Sequence, residues 1–220
     1  MKIVYLVRHG ESVLNTTDAE RWENDKEAPL TEKGVAQTLM IAQRAARLDF
    51  EVLIASPWKR TRDTAQAVSK ETGKPIEFSE LFIERRLPSS FEGMLRSSPE
   101  FIEKYAAWQN ICFRESAHFE DGDDFESLKD RATQALRFIE DRPEERMLIV
   151  THGFFTRMIL ASVILGPDLR ASDFKKFVGG TRTDNTGLSM LVHDRTRAYD
   201  PEPDMERWQV RIFNDHAHLG

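Results

Sequence analysis

The chain has 220 residues, of which 40% are hydrophobic and 31% charged, enough to bury a sizeable globular core. Its 31 Lys and Arg against 37 Asp and Glu leave a formal net charge of -6, which excludes general attraction to nucleic acid or anionic membrane, because both need an excess of cations on one face. The single cysteine, Cys112, excludes an intrachain disulfide, a cysteine-based zinc site and a Cys-x-x-Cys redox pair.

In chain order, residues 2–7 are a β-branched apolar run that stops at Arg8-His9-Gly10, the pattern of a buried parallel strand. This run is too short for a signal-peptide core, and no other stretch reaches the length of a membrane span, so a cytoplasmic location is expected. Thr31 can N-cap a helix running to about Leu48. Residues 52–55 form a second short apolar run, and Pro57 can open a helix that stops near Gly73. Residues 85–124 are rich in Ser, Pro and charge and lack a strand pattern, which makes them the expected lid. Over residues 125–140, Phe125, Leu128, Ala132, Ala135, Leu136 and Ile139 recur at helical spacing, so one face should pack on the sheet. Residues 147–151 read as another buried strand. Residues 188–192 and 208–213 read as a hairpin at the sheet edge, with Asp200-Pro201-Glu202-Pro203 as the turn or loop between them. This alternation predicts an α/β fold, a three-layer sandwich with a mostly parallel central sheet flanked by helices. It is expected as a single domain over residues 1–220 with a lid insertion around 85–124.

In such sheets ligands bind beyond the carboxyl ends of the strands, where loops converge and helix N-termini point their amides inward. Three predicted strands end in candidate groups: Arg8-His9-Gly10-Glu11-Ser12 followed by Asn15, then Ser56-Pro57-Trp58-Lys59-Arg60, then Thr151-His152-Gly153. A lone histidine among apolar residues is usually structural, but two histidines, two arginines and two glycine turns at matching strand ends suit phosphoryl transfer. That chemistry asks the protein mainly to position groups and to stabilise charge on the phosphoryl oxygens. Arginine forks grip those oxygens in pairs, and a neutral imidazole can attack phosphorus to form a covalent intermediate. Arg62 fits a solvated helix face equally well. His118, His193, His216 and His218 show no ligand spacing and are expected at the surface, and Glu120, Asp121, Asp123 and Asp124 read as a solvated acidic loop.

These motifs resemble those of the histidine phosphatase superfamily, the phosphoglycerate mutase-like family, over nearly the whole chain. Leu6-Val7-Arg8-His9-Gly10-Glu11-Ser12 with Asn15 is similar to the family signature. The resemblance implies that His9 is phosphorylated and that Arg8 and Asn15 help hold the phosphate. Leu30-Thr31-Glu32-Lys33-Gly34 with Gln37 resembles the opening of the family's first helix, and Asn185 also matches. Ser56-Pro57-Trp58-Lys59-Arg60 with Thr64-Ala65 resembles the second phosphate-binding motif, which implies Arg60 as a ligand. Val150-Thr151-His152-Gly153 resembles the strand end whose histidine, here His152, donates to the phosphate. Glu84 stands where the family usually places its proton donor, with Glu80 or a lid carboxylate as rivals. Mutase members follow that acid with Tyr-Gly and carboxylate-binding basic residues, whereas this chain continues Arg85-Arg86-Leu87-Pro88-Ser89-Ser90.

The sequence is therefore read as a phosphatase acting on a small phosphorylated substrate through a phosphohistidine on His9, with no cofactor and no metal, because arginines and histidines already supply positive charge. A mutase-like phosphotransferase and a non-catalytic module that binds phosphorylated ligands are the alternatives. A serine hydrolase is disfavoured by the lack of a Gly-x-Ser-x-Gly elbow. Arg85, Arg86, Arg96 and Lys104 could draw a polyanion to the lid, although acids later in the same region offset them. The substrate and the oligomeric state are not legible.

Overall fold

The computed structural model describes residues 1–16, 20–22, 25–194 and 207–220. Within them, β1 (Lys2–Arg8), β2 (Val52–Ala55), β3 (Ile76–Phe78), β4 (Arg146–Thr151), β5 (Leu188–Asp194) and β6 (Arg207–Asp215) form one sheet in the order β3-β2-β4-β1-β5-β6. The neighbours β1 and β4, β4 and β2, and β2 and β3 are parallel. β5 runs antiparallel to β1, and β6 runs antiparallel to β5 at the edge. This is the mostly parallel α/β sandwich expected. The Asp200-Pro203 turn lies outside the described residues.

The three layers follow from the period-two alternation of strand side chains. Val4, Leu6, Val52, Ile54, Met147 and Ile149 face one side, where they pack against α4 (Phe125–Asp141), α5 (Gly153–Leu165) and α6 (Ala171–Gly180). Val7, Leu53, Ala55, Leu148 and Val150 face the other, against α1 (Glu32–Ala45) and α2 (Lys59–Thr72). Both faces of the parallel strands are thus covered, which is why these runs are continuously apolar rather than alternating. Helix α4 buries Phe125, Leu128, Ala132, Ala135 and Ile139, the stripe anticipated from spacing.

The helix ends are set locally. Thr31 Oγ1 accepts from Gly34 N at 3.0 Å, and Gly73 ends α2 in the left-handed region at φ 70°. Helix α1 stops at Ala45, and the chain reaches Leu48 through tight turns. Helix α2 starts at Lys59, with Trp58 rather than Pro57 at its N-cap.

The segment 85–124 contains α3 (Pro99–Ile111), N-capped by Ser98, and its Phe91, Phe101 and Trp108 form an aromatic cluster with Trp22, with Tyr105 and Phe119 around it. The acidic loop is not simply solvated. Asp123 is buried and bonds Arg86 and Arg131, while Asp124 caps α4 through Ser127 N at 2.8 Å. A buried carboxylate is retained here because both of its partners are arginines. His193 is likewise buried, tilted against Trp208 with ring centroids 4.9 Å apart, rather than at the surface. Among the described residues no helix is long and apolar enough to cross a membrane.

Candidate active site

Because β1, β2 and β4 are parallel, their carboxyl ends open on one edge, and β4 lies between the other two. That order brings Arg8-His9, Ser56 and His152 together although up to 144 residues separate them in the chain. The N-terminus of α1 presses directly on the turn after β1: a Cβ on Gly34 would lie 1.9 Å from the Glu11 carbonyl oxygen, so only glycine fits there. From α2, Thr64 Oγ1 accepts from Gly10 N at 3.1 Å.

His9 is buried, and its Nδ1 lies 2.6 Å from the Gly10 carbonyl oxygen. A carbonyl can only accept, so the proton sits on Nδ1 and the lone pair on Nε2. Arg60 Nε donates to that Nε2 at 3.1 Å, which requires the same tautomer. Burial, and then the charges of Arg60 and Arg8, hold the imidazole well below its usual titration range. His9 is therefore neutral, with a nucleophilic nitrogen.

His152 does not line the cavity. It lies fully buried against His9, with ring centroids 5.2 Å apart, and edge-on to Trp58 at 5.1 Å. Its Nε2 is 2.8 Å from Ser56 Oγ, while its Nδ1 has no partner among the described residues. Burial and the Arg60 charge keep it neutral as well.

Arg60 is buried on the first turn of α2, 4.9 Å above the Trp58 ring, and its Nη1 donates to the Asp25 carbonyl at 2.6 Å and carboxylate at 3.0 Å. Arg8 donates from Nη1 to the Thr183 carbonyl at 2.6 Å, its buried Nε is unpartnered among the described residues, and burial lowers it to about 10 against the opposing charge of Glu84. It does not pair with Glu11, which bonds Lys33 instead. Asn15 is exposed on the cavity wall, and its Oδ1 accepts from Ser12 N at 3.0 Å and from Asn185 Nδ2 at 3.3 Å. Asn185 also braces the His9 carbonyl at 3.1 Å.

Glu84 accepts from Phe154 N at 3.0 Å and Phe155 N at 2.9 Å, at the N-terminus of α5, and from Arg85 N at 2.9 Å. The free amides at the start of α5 fix the carboxyl group there. Of its rivals, Glu80 is exposed and does not line the cavity, and the acids of the 120–124 loop are engaged elsewhere.

These groups border a cavity of about 570 Å³, lined by Arg8, His9, Asn15, Asp25, Arg60 and Glu84 and extended by Arg85, Trp108, Phe154 and Arg157. Asp25 and Arg157 are among the lining residues that escaped the sequence reading. Asp25 comes from an irregular polar stretch with no periodic signal, and burial raises its carboxyl above the ordinary range although Arg60 opposes this. Arg157 did leave a trace, as the only charge on the otherwise apolar α5. Arg62 lies outside the cavity and pairs with Glu27. Among the described residues no group of three or more His, Cys, Asp or Glu side chains is placed to hold a metal ion. What the arrangement offers is a neutral imidazole nitrogen in a cavity where, among the described residues, arginines outnumber carboxylates.

Comparison with known proteins gives a consistent picture. The family model of the histidine phosphatase superfamily (branch 1) matches residues 4–200. A probable phosphoglycerate mutase, GpmB, from Escherichia coli O1:K1 is 31% identical over 166 residues, covering 73% of this chain and 74% of that protein. Among solved structures, a putative alpha-ribazole-5'-P phosphatase from Escherichia coli K-12 superposes with a TM-score of 0.75 at 20% identity, covering 97% of this chain and 96% of the other. A mycobacterial glucosyl-3-phosphoglycerate phosphatase in complex with VO3 superposes with a TM-score of 0.72 at 17% identity, covering 97% and 99%.

The buried neutral histidines link stability to pH. In the unfolded chain each titrates near 6.5, whereas in the folded protein each stays neutral well below that, so below about pH 6.5 the unfolded state binds more protons. Stability should fall with decreasing pH there, by up to about 1.4 kcal/mol per pH unit for each histidine. The expected outcome is that a His9→Gln/His152→Gln variant loses less stability than the wild type between pH 7 and pH 5, read from urea unfolding. Equal losses would mean that the two rings protonate in the folded state.

Proposed function

Given that the chain belongs to the histidine phosphatase superfamily, we propose that it is a phosphatase that hydrolyses a small phosphomonoester through a phosphohistidine on His9. The observation that carries the reading is the neutral His9 ring, its Nδ1 proton committed to Gly10 and its Nε2 lone pair on a cavity flanked by Arg8 and Arg60. In the proposed reaction Nε2 attacks phosphorus in line, and the bond from phosphorus to the ester oxygen breaks. Arg60 leaves Nε2 and Asp25 for the phosphoryl oxygens, where Arg8 and Asn15 also donate. Trp58 N is 3.4 Å from Ser56 Oγ and donates to it, which leaves the serine proton free for His152 Nε2. His152 Nδ1 then carries a proton for the phosphate. Glu84 protonates the leaving oxygen, and as a carboxylate it afterwards takes a proton from the water that attacks the phosphohistidine. Inorganic phosphate leaves and His9 is restored.

In this reading the chain is one cytoplasmic domain whose segment 85–124 acts as the lid, since its Leu87, Tyr105, Trp108 and Gln109 border the cavity. Phosphatase is preferred to mutase because Arg85 to Ser90 depart from the sequence that mutases carry after the acid. The 31% identity to a probable phosphoglycerate mutase keeps phosphotransfer as the second reading.

Product partition separates the two. With a phosphomonoester in EDTA the protein should release free inorganic phosphate, and His9→Ala should lower the rate by roughly 10³-fold or more. Phosphate recovered on an organic acceptor would make it a mutase, and activity that needs a divalent ion would contradict the proposed electrostatics.

The role of Glu84 is tested by leaving group. An alkoxide departs poorly without a proton, whereas p-nitrophenolate leaves unaided. Glu84→Gln should slow the pre-steady-state burst with an alkyl phosphate by roughly 10²- to 10⁴-fold and largely spare that with p-nitrophenyl phosphate. Equal slowing of both would reduce Glu84 to an anchor of α5, and no slowing of either would pass the role to Asp25, the other described carboxylate lining the cavity.

A further inference from the structure

The backbone that carries the nucleophile is held from one side by the turn at residues 184–187, just before β5. Thr186 N donates to the Arg8 carbonyl at 3.0 Å and to the His9 carbonyl at 3.3 Å, and Asn185 Nδ2 donates to the His9 carbonyl at 3.1 Å. The Thr183 carbonyl, next to the turn, accepts from Arg8 Nη1 at 2.6 Å. The turn therefore sets where His9 stands and where Arg8 points. It is not relaxed in itself. Thr186 is fully buried with φ 59°, in the left-handed region that a β-branched residue seldom adopts. Such a conformation persists only where the surroundings over-determine it.

The end of β6 and the residues after it supply that constraint. Asn214 Oδ1 accepts from Asp184 N at 2.7 Å, and its Nδ2 donates to the Asp184 carboxylate at 2.8 Å. One turn of 3-10 helix, Ala217–Leu219, then carries the half-buried His218 onto Thr186, with Nε2 3.0 Å from Oγ1. The protons here have one consistent arrangement. Arg44 of α1 can only donate, so its Nη1, 3.1 Å away, requires a lone pair on His218 Nδ1 and leaves the ring proton on Nε2. Thr186 Oγ1 gives its own proton to the Asn185 carbonyl at 2.7 Å, so it accepts from Nε2. Arg44 is held in turn by the Asp215 carboxylate and, at 3.2 Å, by the Asp215 carbonyl. Burial, and then the Arg44 charge, lower the imidazole to about 4, with Asp215 opposing, so the ring keeps this form near neutral pH.

We propose that His218 is a positioning residue for the His9 nucleophile: through Thr186 it locks the 184–187 turn, and with it the backbone of Arg8 and His9, in the place that attack on phosphorus requires. This rests on the phosphatase reading for the reaction that it serves. His218 does not line the cavity and acts only through the line of donors from Arg44 to His218, Thr186 and the Asn185 carbonyl. Without that line the left-handed turn is free to relax, and the Arg8 and His9 carbonyls lose the amide that they share. A nucleophile displaced by about 1 Å can cost roughly 100-fold in rate.

The test compares His218→Phe, which fills the space without either bond, with His218→Gln, whose side-chain amide can still donate to Thr186. Hydrogen exchange followed by NMR should show the Thr186 and Arg8 amides exchanging at least about 10-fold faster in His218→Phe, relative to those of Leu148 and Ile149 in the centre of the sheet. A general loss of stability would move all four together. In the same variant the pre-steady-state burst with p-nitrophenyl phosphate should fall by roughly 10- to 100-fold, and His218→Gln should restore it to within about threefold. Thr186→Val keeps the branched shape and loses the hydroxyl; adding it to His218→Phe should slow the burst no further, because both break one link. If His218→Phe does not fold, Thr186→Val takes its place in the exchange and burst measurements. Exchange at Thr186 and Arg8 that follows the sheet centre, an unchanged burst in the folded variant, a burst that His218→Gln does not restore, or multiplied effects in the double variant would each overturn the positioning role. Failure of the phosphatase reading looks different: exchange responds as expected while no phosphomonoester yields free phosphate.

Discussion

The bond from His9 Nδ1 to the Gly10 carbonyl is the constraint on which the site depends. It fixes the ring plane and the tautomer at once, and it leaves Nε2 as the only nitrogen able to act as a nucleophile. Everything around the ring protects this state. The strand register holds His9 N on the Thr151 carbonyl at 3.0 Å, Thr186 N bonds the Arg8 carbonyl at 3.0 Å, and Gly34 lets α1 close on the same turn. Burial and two arginines then make the protonated ring unfavourable. A surface imidazole would be partly protonated near neutrality and would lose its nucleophile.

In the structure the His9 nitrogen is not bare. Arg60 bridges Nε2 and Asp25, so a hydrogen-bonded chain of carboxylate, guanidinium and imidazole occupies the place where phosphoryl oxygens would lie in the proposed reaction. A phosphate dianion competes well for this guanidinium because it offers more charge and more acceptor oxygens than Asp25. In the proposed reaction this exchange would keep Arg60 charged and bonded in both states. It also explains how a chain of net charge -6 can present a cationic pocket: positive charge is concentrated at one sheet edge and held there by backbone carbonyls, rings and a few buried acids.

The parts of this arrangement that were legible in the sequence are those written in periodic patterns. β1, β2 and β4 are short apolar runs ending in polar residues, and the parallel sheet turns that pattern into spatial proximity of Arg8, His9, Ser56 and His152. Helix α4 was legible through its stripe. Helix α5 was not, because it is covered on nearly every side and has no polar face to set the phase. β3 is only three residues long, too short to show alternation. Asp25 reaches Arg60 across 35 residues from an irregular stretch, and the Arg85 stack joins Trp108 to Phe154 across the lid. Contacts of that kind depend on tertiary placement and leave no local signature. His193 and Asp123 looked exposed because polar residues usually are, yet each is buried against specific partners, Trp208 for one and two arginines for the other.

The central claim is that the protein transfers a phosphoryl group to one particular nitrogen, His9 Nε2. Rapid quench after mixing with a phosphorus-labelled phosphomonoester, followed by peptide mapping and nitrogen-15 NMR of the trapped adduct, measures this directly. An acid-labile, alkali-stable phosphoramidate on Nε2 of His9 is expected. Label on His9 Nδ1, on His152, or on a serine or carboxylate oxygen would contradict it.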